Sequence, residues 1–408
     1  MHVEPLENPA VNTTQEPRRA LILCYSNLEA DPRVTRQIDW LTEDGWTVDT
    51  LGLGRPPRKS VHRHFQLIAP PSFTEPRAVK GLIHLLLPYK ARFHLLVGSQ
   101  VPKNLYLEAP ESGYDLVLVN DIDLLPWVHE RARRLLSRAA DARIHLDVHE
   151  YHYWAPESQP SRITRFLLAG YHKWMTGLIA SPVVDSRSTV ADGIADLYAE
   201  ELGVPRPAIV RNSLPFVNQE PSPVDPEKID LVYHGNAEMA RGLETLILAF
   251  RKLQGRFRLN LMLTGSAEGK SQLRTLTEGI TGQVHFIEPV AMSEVAHRLN
   301  EFDLEVIFYP PTSPNFLHSF PNKFFEAVQG RLGLIVGESP SMAGIIANHS
   351  NGLVVRGWTA DDLASSINAL SAADIQQMKQ ASGLCAGELN SEREKAAFLS
   401  AITEPMSK

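Results

Sequence analysis

The sequence predicts an α/β protein with two parallel-sheet domains. Three observations carry this: short apolar runs alternate with helical stretches along most of the chain; a strand, a helix and a second strand fit within about 30 residues near the start; and one proline-dense segment divides the pattern into two halves. At 408 residues the chain is long enough for two cores of ordinary size. Its 43% hydrophobic and 21% charged residues are globular values.

The first domain is expected over 19–213. Ala20 to Tyr25 (ALILCY) is a buried strand, Val34 to Glu43 a helix ended by Gly45, and Trp46 to Leu51 a second strand. Residues 1–18 are polar, with Pro5, Pro9 and Pro17, and read as a disordered tail, not a signal peptide. Further strands are expected at Tyr114–Val119, Arg143–Val148, near Pro182–Asp185 and at Ala208–Asn212, with a helix over Thr189–Leu202 between the last two. Residues 77–100 interleave Lys80, His84, Lys90, Arg92 and His94 with leucines. This stretch reads either as an amphipathic element on an anionic membrane or as two core helices. Pro88, which breaks a long helical face, favours core packing.

Ser213 to Glu227 carries Pro215, Pro221, Pro223 and Pro226, so 214–228 is the predicted linker. The second domain, 229–390, opens with the strand Asp230–Asn236 (DLVYHGN) and a helix near Arg241–Glu244. Strands at Leu259–Ser266, His285–Val290, Asp303–Phe308, Leu334–Val336 and Leu353–Val355 follow. Helices are expected at 360–370 and 375–389, and a last helix lies within 391–408.

Composition excludes several classes. A net charge of −7 and a pI near 6.1 argue against a general nucleic-acid binder. Cys24 and Cys385 are too few for a disulfide framework, which fits a reducing compartment and a cytoplasmic protein. No apolar run approaches the roughly 20 residues of a membrane span. The dinucleotide fingerprint GxGxxG is absent, so a nicotinamide enzyme lacks its main support.

Candidate chemistry gathers where strands end. The segment Phe316–Gly344 runs from a proline-broken loop into a short helix and a buried strand. Pro321 suits a first helical turn, and Asn322, Lys323 and Glu326 then fall on or near one face. Free N–H groups at a helix start fit an anion, and a carboxylate one turn in can accept hydrogen bonds from a pair of sugar hydroxyls. Ordinary helix capping is the plain alternative. In the 230–244 segment, a glycine-bearing loop followed by Arg241 reads as a diphosphate cradle, with a solvated helix residue as the plain alternative for Arg241. His149 and Glu150 lie at the end of the 143–148 strand, where ligands bind in open α/β sheets. A zinc site from His145, His149 and His152 is the weaker alternative, with no cysteine to help. Asp121 and Asp123 make an Asp-x-Asp pattern that invites a divalent ion; helix capping is the simpler account.

The order of these blocks resembles family 4 of the retaining glycosyltransferases, which are built on the GT-B fold. The matching blocks are Pro321-Asn322-Lys323 with Glu326, the Arg241-Gly242-Leu243-Glu244 helix start, Asp147-Val148-His149-Glu150, the strand ending in Arg211-Asn212, and Asp31-Pro32-Arg33-Val34. The resemblance implies two Rossmann-like domains facing across a cleft, with the C-terminal helix crossing back to the first. It implies that Glu326 holds the ribose of a nucleotide sugar, UDP- or GDP-linked. Arg241 and Lys323 would contact the diphosphate, together with Gly235, Asn236 and the loop amides from Ser319 and Phe320 to Lys323. Backbone around Gly265, Pro289 and Val290 would flank the base. His149 would touch the donor sugar, while Asn27, Asp31, Arg33, Asp121, Glu150 and Tyr151 would face the acceptor, with Tyr151, His152, Tyr153 and Trp154 as its wall.

Many relatives carry a glutamate eight residues before the one at 326; His318 stands there in this chain. Relatives also often carry an arginine where Asn236 stands. No cofactor and no metal are expected beyond the donor itself. The acceptor would be a glycan, a lipid-linked glycan or a small molecule, as in polysaccharide synthesis, with peripheral contact at the inner face of a membrane. A sugar-nucleotide epimerase of the same architecture and a catalytically decayed nucleotide-sugar binder are the rival readings.

Overall fold

The computed structural model describes residues 17–68, 87–152, 162–280 and 282–404. Most of the expected N-terminal tail, residues 77–86 of the apolar-basic 77–100 stretch, and Tyr153 and Trp154 lie outside the described residues.

The chain builds two sheets. The first contains β1 (Arg19–Asn27), β2 (Thr47–Leu53), β3 (Arg63–Gln66), β4 (Leu116–Asn120), β5 (Arg143–Asp147), β6 (Ser186–Thr189) and β7 (Ala208–Ile209), in the order β3-β2-β1-β4-β5-β6-β7. The second contains β8 (Ile229–Asn236), β9 (Phe257–Thr264), β10 (Val284–Ile287), β11 (Leu304–Ile307), β12 (Gly333–Val336) and β13 (Gly352–Val354), in the order β10-β9-β8-β11-β12-β13. Neighbours in the second sheet run parallel throughout. Each order steps outward from its first strand in both directions, the doubly wound pattern that leaves a crevice beyond the carboxyl ends of the central strands. Strands buried on both faces read as continuous apolar runs, and Leu116–Val119 and Leu334–Val336 are fully buried.

The chain separates into two compact units, 1–144 and 145–408, with the division falling inside β5. The cause lies at the C-terminus. The Ser391–Thr403 helix packs on β6 and β7, Phe398 sets its ring edge on His145, and Glu394 accepts from the Arg211 backbone N–H at 2.7 Å. The last helix thus returns to the first sheet and draws β6 and β7 into one unit with the second.

The proline-rich 214–228 segment joins β7 to β8 and is no slack tether. The Val217 N–H donates to Gln329 Oε1, Gln219 Nε2 donates to the Ala296 and Gln329 carbonyls, and Ser222 Oγ donates to the Asn300 carbonyl. Arg331, at φ 64, donates through Nε and Nη2 to the carbonyls of Gln219 and Val217. Pro88 caps the Tyr89–Leu96 helix and sets its start. No helix among the described residues is long and apolar enough to cross a membrane.

Element ends differ from expectation by a few residues, and one strand moves. The first-sheet strand expected near Pro182–Asp185 is Ser186–Thr189, and the following helix starts at Asp192. This strand is Ser-Arg-Ser-Thr, four polar residues that are all buried, so an apolar run could not reveal it. Its hydroxyls serve the neighbouring strand: His145 Nδ1 and Nε2 bond Ser186 and Ser188 at 2.7 and 2.8 Å.

Lys379 is a buried ammonium bonded to Ser222 Oγ, the Phe302 carbonyl and Asp303 Oδ1 at 2.8, 2.8 and 2.9 Å. Losing one member of such a pair strands the other charge in the core. Lys379→Met is therefore expected to destabilise the protein by about 3 kcal/mol. Lys252→Met, which breaks an exposed pair with Asp361, should cost less than about 1 kcal/mol. Urea denaturation of both variants checks this contrast; equal midpoints would contradict it.

Candidate functional site

The site grows from the two central strands of the second sheet and the Asn322–Gln329 helix. β8 ends Tyr233-His234-Gly235-Asn236, and β11 beside it carries Glu305. Both His234 and Glu305 are buried. A charged side chain inside a sheet needs a partner to offset lost hydration, and here the partners are each other. Nδ1 of His234 lies 2.9 Å from Glu305 Oε2, and Nε2 lies 2.6 Å from Glu326 Oε2. A neutral imidazole has one N–H, so only the imidazolium can donate to both carboxylates. Burial pulls the His234 pKa down, but Glu305 and Glu326 outweigh it and push it up to about 9.

Lys323 lies one turn before Glu326 on the same helix. Its Nζ is buried without a hydrogen bond to the protein and sits 3.5 Å from the Tyr233 ring centroid and 5.6 Å from that of Tyr309, a cation–π setting. Burial alone would lower its pKa; Tyr309, Tyr233 and Glu305 together hold it at about 12. Two cations and two carboxylates therefore balance in a buried cluster.

The helix bearing Lys323 and Glu326 buries Phe324, Phe325, Ala327 and Val328 fully, which fixes its orientation. Pro321 is its N-cap and supplies no side-chain hydrogen bond; the Phe324 N–H donates to the Pro321 carbonyl at 3.0 Å, and the Asn322 and Lys323 N–H groups before it are open to a ligand. The helix begins at Asn322, one residue later than Pro321 at a first helical position would give.

Arg241 arrives differently from expectation. It closes the short 3₁₀ turn Met239–Arg241, and the helix begins at Leu243. Between them Gly242 holds φ 75, a left-handed conformation that ends one helical segment before the next begins. Nε of Arg241 donates to Glu238 Oε2 at 2.8 Å, and Glu238 Oε1 accepts from Asn236 Nδ2 at 2.6 Å. Asn236 thus orders the carboxylate that orients Arg241. Gly235 holds φ 118, and a Cβ there would lie 3.4 Å from Lys323 Nζ.

These groups border a cavity of about 400 Å³ lined by His234, Gly235, Asn236, Arg241, Met262, Thr264, Pro289, Val290, Met292, Val295, Pro321, Asn322, Lys323 and Glu326. A second cavity of about 470 Å³ shares Arg241, Pro321 and Asn322 with it. His149, Glu150, Val190, Ile194, Asn212, Glu238, Tyr309, Ser313, Asn315, Phe316, Ser319 and Phe320 complete that second lining. His149 follows β5 with Nε2 3.4 Å from the buried Asp147 Oδ2. Asn315 grips the same strand end, accepting from the Tyr151 N–H at 2.7 Å and donating to its carbonyl at 3.2 Å. One cavity therefore offers a carboxylate beside an unpartnered ammonium and a guanidinium. Its neighbour offers a histidine, two carboxylates and the shared guanidinium among amide, hydroxyl and apolar side chains.

Residues 217–382 match the family model described as Glycosyl transferases group 1. In structure the chain is similar to a sucrose-phosphate synthase from Thermosynechococcus elongatus, with TM-score 0.67, 14% identity, and 94% of this chain and 98% of that one covered. It is similar to an E. coli structure described as trehalose-6-phosphate bound with UDP-2-fluoro glucose, with TM-score 0.64, 11% identity and coverage of 95% and 99%. A third is a UDP-forming α,α-trehalose-phosphate synthase from Burkholderia xenovorans in complex with glucose-6-phosphate, with TM-score 0.62, 12% identity and coverage of 95% and 100%. Comparison with curated protein sequences gives no match. The architecture is that of the GT-B glycosyltransferases.

Against that fold the expected site residues fall into four groups. Gly235, Asn236, Arg241, Pro289, Val290, Pro321, Asn322, Lys323 and Glu326 line the first cavity. His149, Glu150, Ser319 and Phe320 line the second. Gly265, His318 and Tyr151 line neither. A Cβ on Gly265 would fall 2.0 Å from Asn236 Oδ1. His318 packs where a Cβ of Gly193 would sit, and burial lowers its pKa. Tyr151 is buried, its ring edge on Tyr198. Asn27, Asp31, Arg33 and Asp121 belong to the 1–144 unit. There Asp31 caps the Pro32–Glu43 helix, accepting from the Arg33 and Val34 N–H groups, and Asp121 takes φ 57 just after β4. The three histidines of the zinc alternative do not gather: both ring nitrogens of His145 are engaged by serines, and no metal-holding group of three or more His, Cys, Asp or Glu occurs among the described residues.

Sequence reasoning missed His234, Glu305 and the two tyrosines around Lys323. A signal was present, since a histidine and a glutamate interrupt apolar strands, and buried charges require partners. Gly242→Ala tests the Arg241 turn. The added Cβ would meet the Phe308 carbonyl oxygen at 2.0 Å in a left-handed position. A loss of about 2 kcal/mol in chemical denaturation is expected; unchanged stability would contradict the geometry.

Proposed function

We propose that the protein transfers a glycosyl group from a nucleotide-sugar donor to a glycan, lipid-linked or small-molecule acceptor, with retention at the anomeric carbon. The observation that carries this reading is the pairing, at one cavity, of the clamped Glu326 with the unpartnered Lys323 ammonium. In this reading Glu326 accepts the ribose hydroxyls. Lys323, Arg241 and the backbone N–H groups of Asn322 and Lys323 take the diphosphate. The base lies toward Met262, Thr264, Pro289 and Val290, and the sugar reaches toward His149 in the adjoining cavity.

As the donor bond breaks, negative charge grows on the leaving diphosphate. Fixed cations and N–H dipoles in a dry site favour that charge more than the ground state, which is the electrostatic part of catalysis. Lys323 suits this role because its charge is already balanced within the protein and its hydrogen bonds are not. The leaving phosphate would also help to deprotonate the acceptor hydroxyl, so no side-chain nucleophile is invoked. The two cations stand in place of a divalent metal, giving a metal-independent hexosyl transfer in the manner of family 4. The UDP named in two of the similar structures supports a uridine donor. Cytoplasmic polysaccharide synthesis, with peripheral contact at the membrane face, is the setting proposed.

A thermal-shift panel of UDP-, GDP-, TDP- and ADP-sugars tests the donor, because a ligand that binds only the folded state raises its melting point. Release of nucleoside diphosphate on adding acceptor then separates a transferase from a protein that merely binds. Glu326→Ala and Arg241→Ala should each weaken binding of the best nucleotide at least about tenfold, the effect of losing a charge-assisted hydrogen bond, while both variants remain folded. Unchanged affinity in both would refute this placement of the donor.

A further inference from the structure

We propose that His234 is a positioning residue: bridging Glu305 and Glu326 as an imidazolium, it holds the Glu326 carboxylate in its ligand-binding orientation, so that nucleotide affinity is linked to a proton buried beneath the cavity. The inference rests on the donor reading above and deepens it, because nothing in that reading requires a charged group behind Glu326.

Glu326 Oε2 is fixed at 2.6 Å by His234 Nε2, and Oε1 has no hydrogen bond to the protein among the described residues. The opposite ring nitrogen is anchored at 2.9 Å by Glu305, whose strand β11 is fully buried. Were the ring neutral and both carboxylates ionised, one carboxylate would face a nitrogen lone pair, and that contact would open. If the opened contact were the one to Glu326, its side chain would be free to turn.

The charged and titratable groups facing His234 are few. Glu305 comes from β11, Glu326 and Lys323 from the Asn322–Gln329 helix, and Tyr233 and Tyr309 surround the lysine. From β9 the register partner is Met262, which does not titrate. Lys323 keeps its proton up to about 12. The linkage has a definite sign: a pKa raised from 6.5 to about 9 stabilises the folded site fully below 6.5, and that contribution is lost as pH rises through about 9.

Two measurements test the proposal. First, ¹⁵N NMR of histidine-labelled protein at pH 7.5 should show both His234 ring nitrogens protonated, the signal being assigned by its displacement in Glu305→Gln. Second, affinity for the nucleotide with the largest thermal shift should be flat from pH 6 to 8 and then fall. In Glu305→Gln the fall should begin at least one pH unit lower. Titration of the nucleotide itself is common to both proteins and cancels. His234→Gln should remove the difference. A purely structural histidine would lower stability in these variants but leave the pH profile in place. A neutral His234 ring at pH 7.5, or identical profiles in wild type and Glu305→Gln, overturns the proposal. If no nucleotide binds either protein, the donor reading fails, and the NMR result judges the imidazolium bridge by itself.

Discussion

A protonated histidine between two buried carboxylates is the constraint on which the site depends. Isolated, each of the three groups would be costly in the core of a parallel sheet, and each would shift its protonation to escape charge. Together, with the Lys323 ammonium resting on Tyr233, they form a set whose charges balance. Balance explains why the cluster is tolerated; asymmetry explains its use. His234 and Glu305 are satisfied within the protein, whereas Lys323 and Glu326, which line the cavity together with His234, keep unused hydrogen-bonding capacity. A site whose functional groups are held from behind and open in front is preorganised, and little conformational freedom remains to be lost when a ligand binds.

The fold supplies the placement. Parallel strands deliver their carboxyl ends to the same edge of a sheet, so β8 and β11 bring His234 and Glu305 side by side without any long loop. The Asn322–Gln329 helix then lays Lys323 and Glu326 across those ends, its buried phenylalanines fixing the rotation. Close packing around the loops is met by glycines at 235 and 242, both in the left-handed region. On the far side, the Ser391–Thr403 helix and Asn315 tie the end of β5 and its His149 to the same unit.

Much of this was legible from the sequence, and the reasons for the exceptions are specific. Runs such as Leu116–Val119 and Leu334–Val336 announce buried strands because both faces are covered. The polar strand Ser186–Thr189 gives no such signal, since its residues are polar and its two serine hydroxyls bond His145 within the sheet. The block from Pro321 to Glu326 drew notice as a loop running into a helix and then a buried strand, and its resemblance to the glycosyltransferase blocks separated it from ordinary helix capping. The partners of Glu326 were hidden for the opposite reason: His234 precedes it by 92 positions and Glu305 by 21, and only the strand order makes them neighbours. Arg241 was named as a helix-start residue, yet the left-handed Gly242 places it in a preceding turn. Its orientation comes from Glu238, which Asn236 holds in place.

The account is tested most directly by a crystal structure of the protein with a bound nucleotide sugar. It predicts the ribose hydroxyls within about 3 Å of Glu326, the diphosphate on Lys323 and Arg241, and the His234 contacts to both carboxylates intact. A nucleotide bound elsewhere, or a Glu326 side chain turned away from a ligand that fills the cavity, would contradict it.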